Sequence, residues 1–301
     1  MTATATPPQV QPESSRELRS ETRSPKEWIF RAVLFACLAI AMIFLVVLIV
    51  FLVQRGWPRI DSRLWLNMPS SINPAIAGAA SAIAGTLWVM ALVFLIAVPL
   101  GVMTAIYLEE YANPLSRVNR LIELNIQNLA AVPSIVYGIL GLGIIARQLQ
   151  VGFNIMTASL TLSLLILPVL IIASREAIRA VPSSIRQGSL ALGATQWQTI
   201  WRQVLPQAVP GIATGSIISL SRAIGEAAPL LLLGGVTFVT FTPDSVFDRY
   251  TVLPIQIFNW TSEPREDFRI LASATIVVLL VLLLSMNSLA IWIRNHYGKR
   301  L

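Results

Sequence analysis

The sequence has few of the residues that build disulfides, metal centres and soluble surfaces. It contains one cysteine, Cys37, and one histidine, His296, so neither an internal disulfide nor a His/Cys metal site of ordinary ligand count can form. Charged residues make up 12% of the chain, against roughly 25% in an ordinary soluble domain. Because no glycine-rich phosphate loop of the Walker type occurs, we expect no cofactor and no ATP binding by the chain itself.

Apolar residues dominate instead, at 55% of the 301 residues, and the mean hydropathy is +0.71. They form six long runs, each able as a helix to cross a hydrocarbon core of roughly 30 Å. The first run is too long for a signal peptide and is followed by no small-residue cleavage site. We therefore predict an all-α integral membrane protein with six transmembrane helices. The predicted spans are residues 32–53, 77–108, 124–146, 153–174, 211–235 and 270–293.

The chain divides into four regions. Residues 1–31 are polar and proline-rich with little to bury, so we expect a disordered tail. A first transmembrane helix, 32–53, precedes the main membrane domain, 77–293, and residues 294–301 form a short tail. Six spans put both tails on one side, which carries fourteen of the 22 lysines and arginines, against seven on the other side. The positive-inside rule then makes both termini cytoplasmic, and most of the net charge of +7 is topological.

The polar segment 183–210, between the fourth and fifth spans, has helical periodicity. Residues 184–187 and 195–198 both match the capping-box pattern, and Gly193 between them stands where a helix ends. We predict two short surface helices joined at Gly193, the second with an apolar face and ended by prolines. That face either rests on lipid or docks a cytoplasmic partner. Its residues are Trp197, Ile200, Trp201 and Val204, and the prolines are Pro206 and Pro210.

The fifth span contains two charged residues, Arg222 and Glu226, four positions apart and hence on one helical face. A charge at mid-span costs about 2.5–3.5 kcal/mol, so the pair should face the bundle interior or a wet path. One interpretation is a structural salt bridge between helices. The other is an anion path, because the planar fork of arginine suits phosphate and never loses its charge. Glu226 would then hold Arg222 when substrate is absent, and Pro229 is the hinge candidate.

Two of these segments resemble known families. Residues 187–206 resemble the EAA loop of ABC importer permeases: Gly193, Leu205 and Pro206 fall on motif positions, while residues 187–189, Gln-Gly-Ser, depart from Glu-Ala-Ala. Residues 221–231, Ser-Arg-Ala-Ile-Gly-Glu-Ala-Ala-Pro-Leu-Leu, resemble the fifth-span signature of phosphate importer permeases. Residues 132–138 and 253–258 resemble two further stretches of that family. The likeness runs from about Ala77 to Trp292.

The resemblance implies a type I ABC importer permease (MetI-like) bundle with cytoplasmic coupling helices. It implies a non-catalytic subunit that passes inorganic phosphate across the bacterial cytoplasmic membrane by alternating access. The implied partners are a second permease subunit, two copies of an ATPase subunit, an extracytoplasmic phosphate-binding protein and the lipid bilayer, with no nucleic acid. Arg222 and Glu226 would lie in the phosphate path. The implied ATPase-coupling residues are Gln187, Gly188, Gly193, Ala194, Trp197, Trp201, Leu205 and Pro206.

Other functions were weighed against this one. A permease for another oxyanion, such as molybdate or sulfate, is the nearest alternative, and a structural subunit that transports nothing is a second. An intramembrane enzyme would need paired carboxylates, a Ser/His or Ser/Lys set, or metal ligands within the spans. The predicted spans hold one ionisable pair, so we assign no catalytic residues.

Overall fold

The computed structural model describes residues 25–113, 115–234 and 239–298, and these are α-helical with no strand among them. The expected tail, residues 1–24, and the last three residues lie outside the described part. Residues 235–238, at the end of the predicted fifth span, do so as well. The helices are α1 (Pro25–Gly56), α2 (Ser62–Leu66), α3 (Ala80–Ile106), α4 (Arg117–Ala130), α5 (Ser134–Leu140), α6 (Ile155–Arg179), α7 (Ser183–Ala191), α8 (Gln196–Thr199), α9 (Leu205–Ile224), α10 (Ala228–Leu232), α11 (Leu253–Ser262) and α12 (Glu266–Gly298).

The chain separates into two units, residues 1–51 and residues 52–301. The described part of the first unit is most of α1. Its apolar side chains from Trp28 to Val50 are exposed, which suits a helix whose surface meets lipid tails. The second unit contains all the other helices.

The described residues contain up to six helical segments that are long and apolar enough to cross a membrane. Five are single helical runs: α1, α3, α6, α12 and the continuous run from Gln196 to Ile224. The sixth is the pair α4 and α5, the latter extended by a π-helical stretch, Gly141–Gln148, and the two are bent by 106°. The all-α class with six spans is confirmed.

The third span, predicted over residues 124–146, is a pair of helices with a sharp bend at Pro133. Pro133 has no N–H to bond the carbonyl of Leu129, and its ring would clash with that carbonyl, so α4 ends at Ala130. The freed carbonyl oxygen accepts a hydrogen bond from the Tyr137 hydroxyl at 2.8 Å and another from the Val132 N–H at 3.2 Å. The carbonyl that loses its helical partner at the bend is thus hydrogen-bonded within the chain.

The core of the second unit forms around α6, which packs along α3 and α9. Small residues allow the close approach to α9. A Cβ on Gly215 would lie 2.7 Å from the Cβ of Ala173, and one on Gly211 would lie 2.6 Å from the Cβ of Ala177. Glycine and alanine one turn apart let two helix backbones meet closely inside a membrane, where dispersion contacts replace the hydrophobic effect.

Two segments between the predicted spans contain helices. α3 continues through a π-helical turn, Tyr107–Tyr111, and α4 begins at Arg117, between the second and third predicted spans. α11 lies between the fifth and sixth predicted spans, with Pro254 in its first turn, where no N–H is needed. The Leu253 N–H donates to the Thr86 hydroxyl at 2.9 Å, which ties α11 to α3.

Candidate functional site

The fifth span breaks between its two charged residues. α9 ends at Ile224, and α10 begins at Ala228 after three non-helical residues. Pro229 explains the break, because it cannot donate to the carbonyl of Gly225 and would clash with it in a continuous helix. The prediction that Arg222 and Glu226 share one continuous helical face is therefore wrong. No ion pair joins their side chains in the part of the chain that the structure describes.

The breaks in the third and fifth spans lie against each other. A Cβ on Gly138 would lie 2.7 Å from the Cα of Pro229, so α5 and α10 meet backbone to backbone. Tyr137, beside Gly138, is buried in one cluster with Ala223 and Leu230. Irregular backbone at membrane depth persists only where protein buries it or where it lines a wet cavity.

Arg222 is exposed in this chain, at the edge of that junction. Arg222 and the Tyr137 phenol interact electrostatically. The hydroxyl of the preceding residue, Ser221, lies 2.7 Å from the side-chain carbonyl oxygen of Asn287 on α12 and 2.7 Å from the Ile217 carbonyl oxygen, both of them acceptors. A hydroxyl has one hydrogen, so it donates to one of the two at a time. This contact holds the end of α9 against α12.

Tyr250 is a further polar group in the same buried cluster. Its hydroxyl has no hydrogen-bond partner among the described residues. Burial raises the pKa of the Tyr250 phenol, so the group is a neutral donor at physiological pH. No sequence pattern distinguishes Tyr137 or Tyr250 from ordinary core aromatics, because their roles depend on the packing of distant helices.

The segment between the fourth and fifth spans turns at Gly193, as predicted. Gly193 has φ +85°, a left-handed conformation that favours glycine, and it lies between α7 and α8. The capping box at Thr195 is confirmed, with the Gln198 N–H donating to the Thr195 hydroxyl at 3.3 Å and the reciprocal bond at 3.0 Å. The predicted box at Ser184 is wrong, because α7 begins one residue earlier, after Pro182, and has no side-chain cap.

The second helix of this segment is not a short, separate one. It runs from α8 through a π-helical stretch, Ile200–Val204, directly into α9. Pro206 does not end it, because it follows directly on the π-helical stretch, where the backbone has already left the α-helical hydrogen-bond pattern that a missing N–H would interrupt. Pro210 lies inside α9.

The face of this helix is divided between core and surface. Ile200 and Val204 are buried against the ends of α3 and α6, while Trp197 and Trp201 are exposed with ring centroids 5.1 Å apart. Gln187, Gly188 and Gly193 are also exposed, Ala194 and Pro206 are half-buried, and Leu205 is buried. The residues predicted to couple to an ATPase thus include an exposed tryptophan pair next to buried side chains of the same helix.

The two candidate sites lie at opposite ends of one helical run. The run from Gln196 to Ile224 has 29 residues and would be roughly 44 Å long at 1.5 Å per residue. The tryptophan surface is near its start and Arg222 is near its end. A displacement at one end can therefore reach the other through continuous helix.

Comparison with known proteins identifies relatives for most of the chain. Residues 97–301 match the family described as binding-protein-dependent transport system inner membrane component. Phosphate transport system permease protein PstA 1 of Mycobacterium tuberculosis is 33% identical over 263 residues, which cover 86% of each chain. Probable ABC transporter permease protein YqgI of Bacillus subtilis is 30% identical, over 88% of this chain and 94% of that one. PstA of Yersinia pestis is 29% identical over 92% of each.

Solved structures agree in fold. A bacterial alginate ABC transporter, in complex with an alginate pentasaccharide-bound periplasmic protein, superposes with a TM-score of 0.65 over 91% of this chain and 95% of that one, at 17% identity. The MetNI methionine ABC transporter in an inward-facing conformation gives 0.55 over 74% and 96%, at 16% identity. At these identities the likeness concerns the fold, which is that of ABC importer permeases.

Proposed function

This chain belongs to the family of binding-protein-dependent transport system inner membrane components, and on that premise we propose that it carries inorganic phosphate through an ATP-driven importer. It is an ABC importer permease and a multi-pass membrane protein. In the proposal both termini are cytoplasmic, the membrane is the bacterial cytoplasmic membrane, and transport proceeds by alternating access. The observation that carries the choice of phosphate is the likeness to PstA permeases over 86% of both chains.

The geometry near Arg222 supports an anion path. An exposed arginine beside two broken spans is free to present its donors to an oxyanion, since no described carboxylate pairs with it. Glu226 lies in the break itself, where a change of backbone would alter its distance from Arg222. In this proposal Glu226 weakens anion binding enough to permit release, and Pro229 is the hinge of that movement.

The geometry of the polar segment 183–210, the coupling loop, supports docking of an ATPase. The exposed tryptophan pair and the left-handed turn at Gly193 present a fixed apolar surface at one end of α8, the kind of anchor that protein interfaces favour. We propose two PstB-like ATPase subunits as partners, one of which binds this surface. A PstC-like second permease and a PstS-like extracytoplasmic phosphate-binding protein complete the proposed complex. ATP hydrolysis belongs to the ATPase subunits, so this chain is non-catalytic.

The test uses the complex purified from native membranes through an affinity tag on this chain and reconstituted in liposomes. We expect ATP-dependent accumulation of radiolabelled phosphate, undiminished by a large excess of sulfate or molybdate, because the path is selective for phosphate. Accumulation of sulfate or molybdate in place of phosphate would support the other oxyanion permease. Absence of any ATP-driven anion uptake would support the structural subunit instead.

A further inference from the structure

Glu110 occupies the junction between α3 and the coupling loop. It lies in the π-helical turn Tyr107–Tyr111, where the backbone of α3 leaves regular geometry. Its side chain is only 9% exposed. Burying a carboxylate to this extent costs free energy unless the carboxylate is ion-paired and hydrogen-bonded. The partners of Glu110 therefore indicate its role.

The side chain of Glu110 binds Arg186 of α7. Arg186 donates to the Glu110 carboxylate from Nη2 at 2.7 Å and from Nε at 3.0 Å. The same guanidinium donates to the carbonyls of Ile178 and Val181, at 2.8 and 2.6 Å, where α6 ends. Arg186 thus joins three elements: the end of α3, the end of α6 and the first helix of the coupling loop.

The main chain of Glu110 binds the second helix of that loop. The side-chain amide of Gln196, in the first turn of α8, donates to the Glu110 carbonyl at 2.6 Å. The two loop helices are also joined to each other, since the hydroxyls of Ser189 and Thr199 lie 2.8 Å apart. A π-helical turn leaves carbonyls available for such outside partners, and turns of this kind are frequent at functional sites.

Glu110, in the turn that continues α3, therefore bonds to both α7 and α8. α3 in turn packs along α6 and contacts α9, the helix that ends near Arg222. The neighbouring Glu109 bonds elsewhere, to Arg175 and Arg179 of α6. Its ion pairs join membrane-spanning helices only.

We propose that Glu110 is a positioning residue that transmits movement of the ATPase-bound coupling loop to α3, and hence to the anion path. The inference rests on the proposed function. When the ATPase moves the loop, the two bonds at Glu110 carry α3 with it. Without the ionic bond, the loop moves against α3, and ATP is hydrolysed without productive opening of the path.

The test is Glu110→Gln in the reconstituted complex, with phosphate transported per ATP hydrolysed as the readout. Glutamine keeps the shape and an acceptor but removes the charge. We expect ATP hydrolysis to continue while the transport ratio falls about tenfold, within the usual range of coupling between two sites. The matched control is Glu176→Gln, which removes a carboxylate that is 62% exposed and pairs with Arg179 inside α6 alone. Its ratio should stay at the wild-type value.

A second variant guards against misfolding of the first. Gln196→Ala removes the bond to the Glu110 carbonyl at an exposed position, so the fold should tolerate it. We expect the transport ratio to fall in this variant as well. If both variants assemble and both transport as much phosphate per ATP as the wild type, the inference is overturned. If Glu110→Gln does not assemble, a wild-type ratio of phosphate to ATP in Gln196→Ala alone overturns it. Failure of the proposed function would show separately, as absence of uptake in the unmutated complex.

Discussion

Arg222 is placed by its neighbours rather than by a salt bridge. Ser221 is held by Asn287 of α12, and Ala223 is buried in the central cluster, so the backbone on both sides of Arg222 is fixed. The side chain itself is exposed beside Tyr137. In the proposed anion path, a guanidinium on such a backbone would receive an oxyanion without first breaking an internal ion pair.

Replacing Arg222 by glutamine should therefore impair transport but not assembly. A hydrogen bond to a charged group is worth roughly 1.5–3 kcal/mol, so phosphate uptake by Arg222→Gln should fall roughly 10- to 150-fold. The measurement is initial uptake rate in reconstituted complexes, with co-purification of the other subunits as the check on assembly. Arg249→Gln, at an exposed loop arginine, is the matched control. Uptake at the control level would remove Arg222 from the path.

At the scale of elements, the coupling loop depends on one backbone conformation. The turn at Gly193 sets the angle between α7 and α8. An added Cβ at Gly193 would meet no atom within 4 Å, so space does not restrict this position. Only the left-handed φ of Gly193 restricts which residue fits there. A substitution at this position therefore tests backbone conformation separately from side-chain packing.

We expect Gly193→Val to weaken binding of the ATPase and Gly193→Asn to leave it nearly unchanged. Valine in a left-handed conformation costs roughly 1–2 kcal/mol, which corresponds to a factor of roughly 5–30 in an equilibrium constant. Asparagine enters this conformation routinely. The measurement is the affinity of the purified ATPase for liposomes that contain each variant together with the second permease subunit. Equal affinities for valine and asparagine variants would mean that docking does not need the turn.

At the scale of the whole molecule, the proposed function assigns the anion path to this chain and ATP hydrolysis to other subunits. Its described residues contain no cluster of three or more His, Cys, Asp or Glu side chains that could hold a metal ion. The sequence also lacks a Walker motif, the usual phosphate-binding loop of an ATPase. In the proposed function, this chain provides the path and the docking surface, and the ATPase subunits supply the energy.

The purified chain alone should hydrolyse no ATP. Release of phosphate from ATP should begin only when the ATPase subunits are added, because they contain the phosphate-binding loop. A malachite-green assay on the chain alone, then on the assembled complex, measures this difference. ATP turnover that stays with the isolated chain through a second purification step would contradict the proposed division of labour.

Local patterns predicted a large share of this architecture. Apolar run length predicted six spans, and the glycine between two polar helical segments predicted the turn at Gly193. The same reasoning predicted a single span over residues 124–146, where α4 and α5 bend by 106° at Pro133, and one helix across Arg222 and Glu226, which breaks before Pro229. Both departures from a simple helix occur at prolines. Proline is tolerated in many membrane helices, so whether a given one bends or breaks its span depends on what satisfies the freed carbonyl.

The sequence by itself determined the helical class, the number of spans and the presence of a costly charged pair within one of them. These follow from hydrophobicity and charge along the chain, because the free energy of placing a side chain in water or in lipid depends on the residue itself. Only the tertiary structure decided that the breaks at Pro133 and Pro229 meet, and that Glu110 binds both helices of the coupling loop. Those contacts join residues as far as 91 positions apart, Gly138 and Pro229, and they form because packing brings distant helices together.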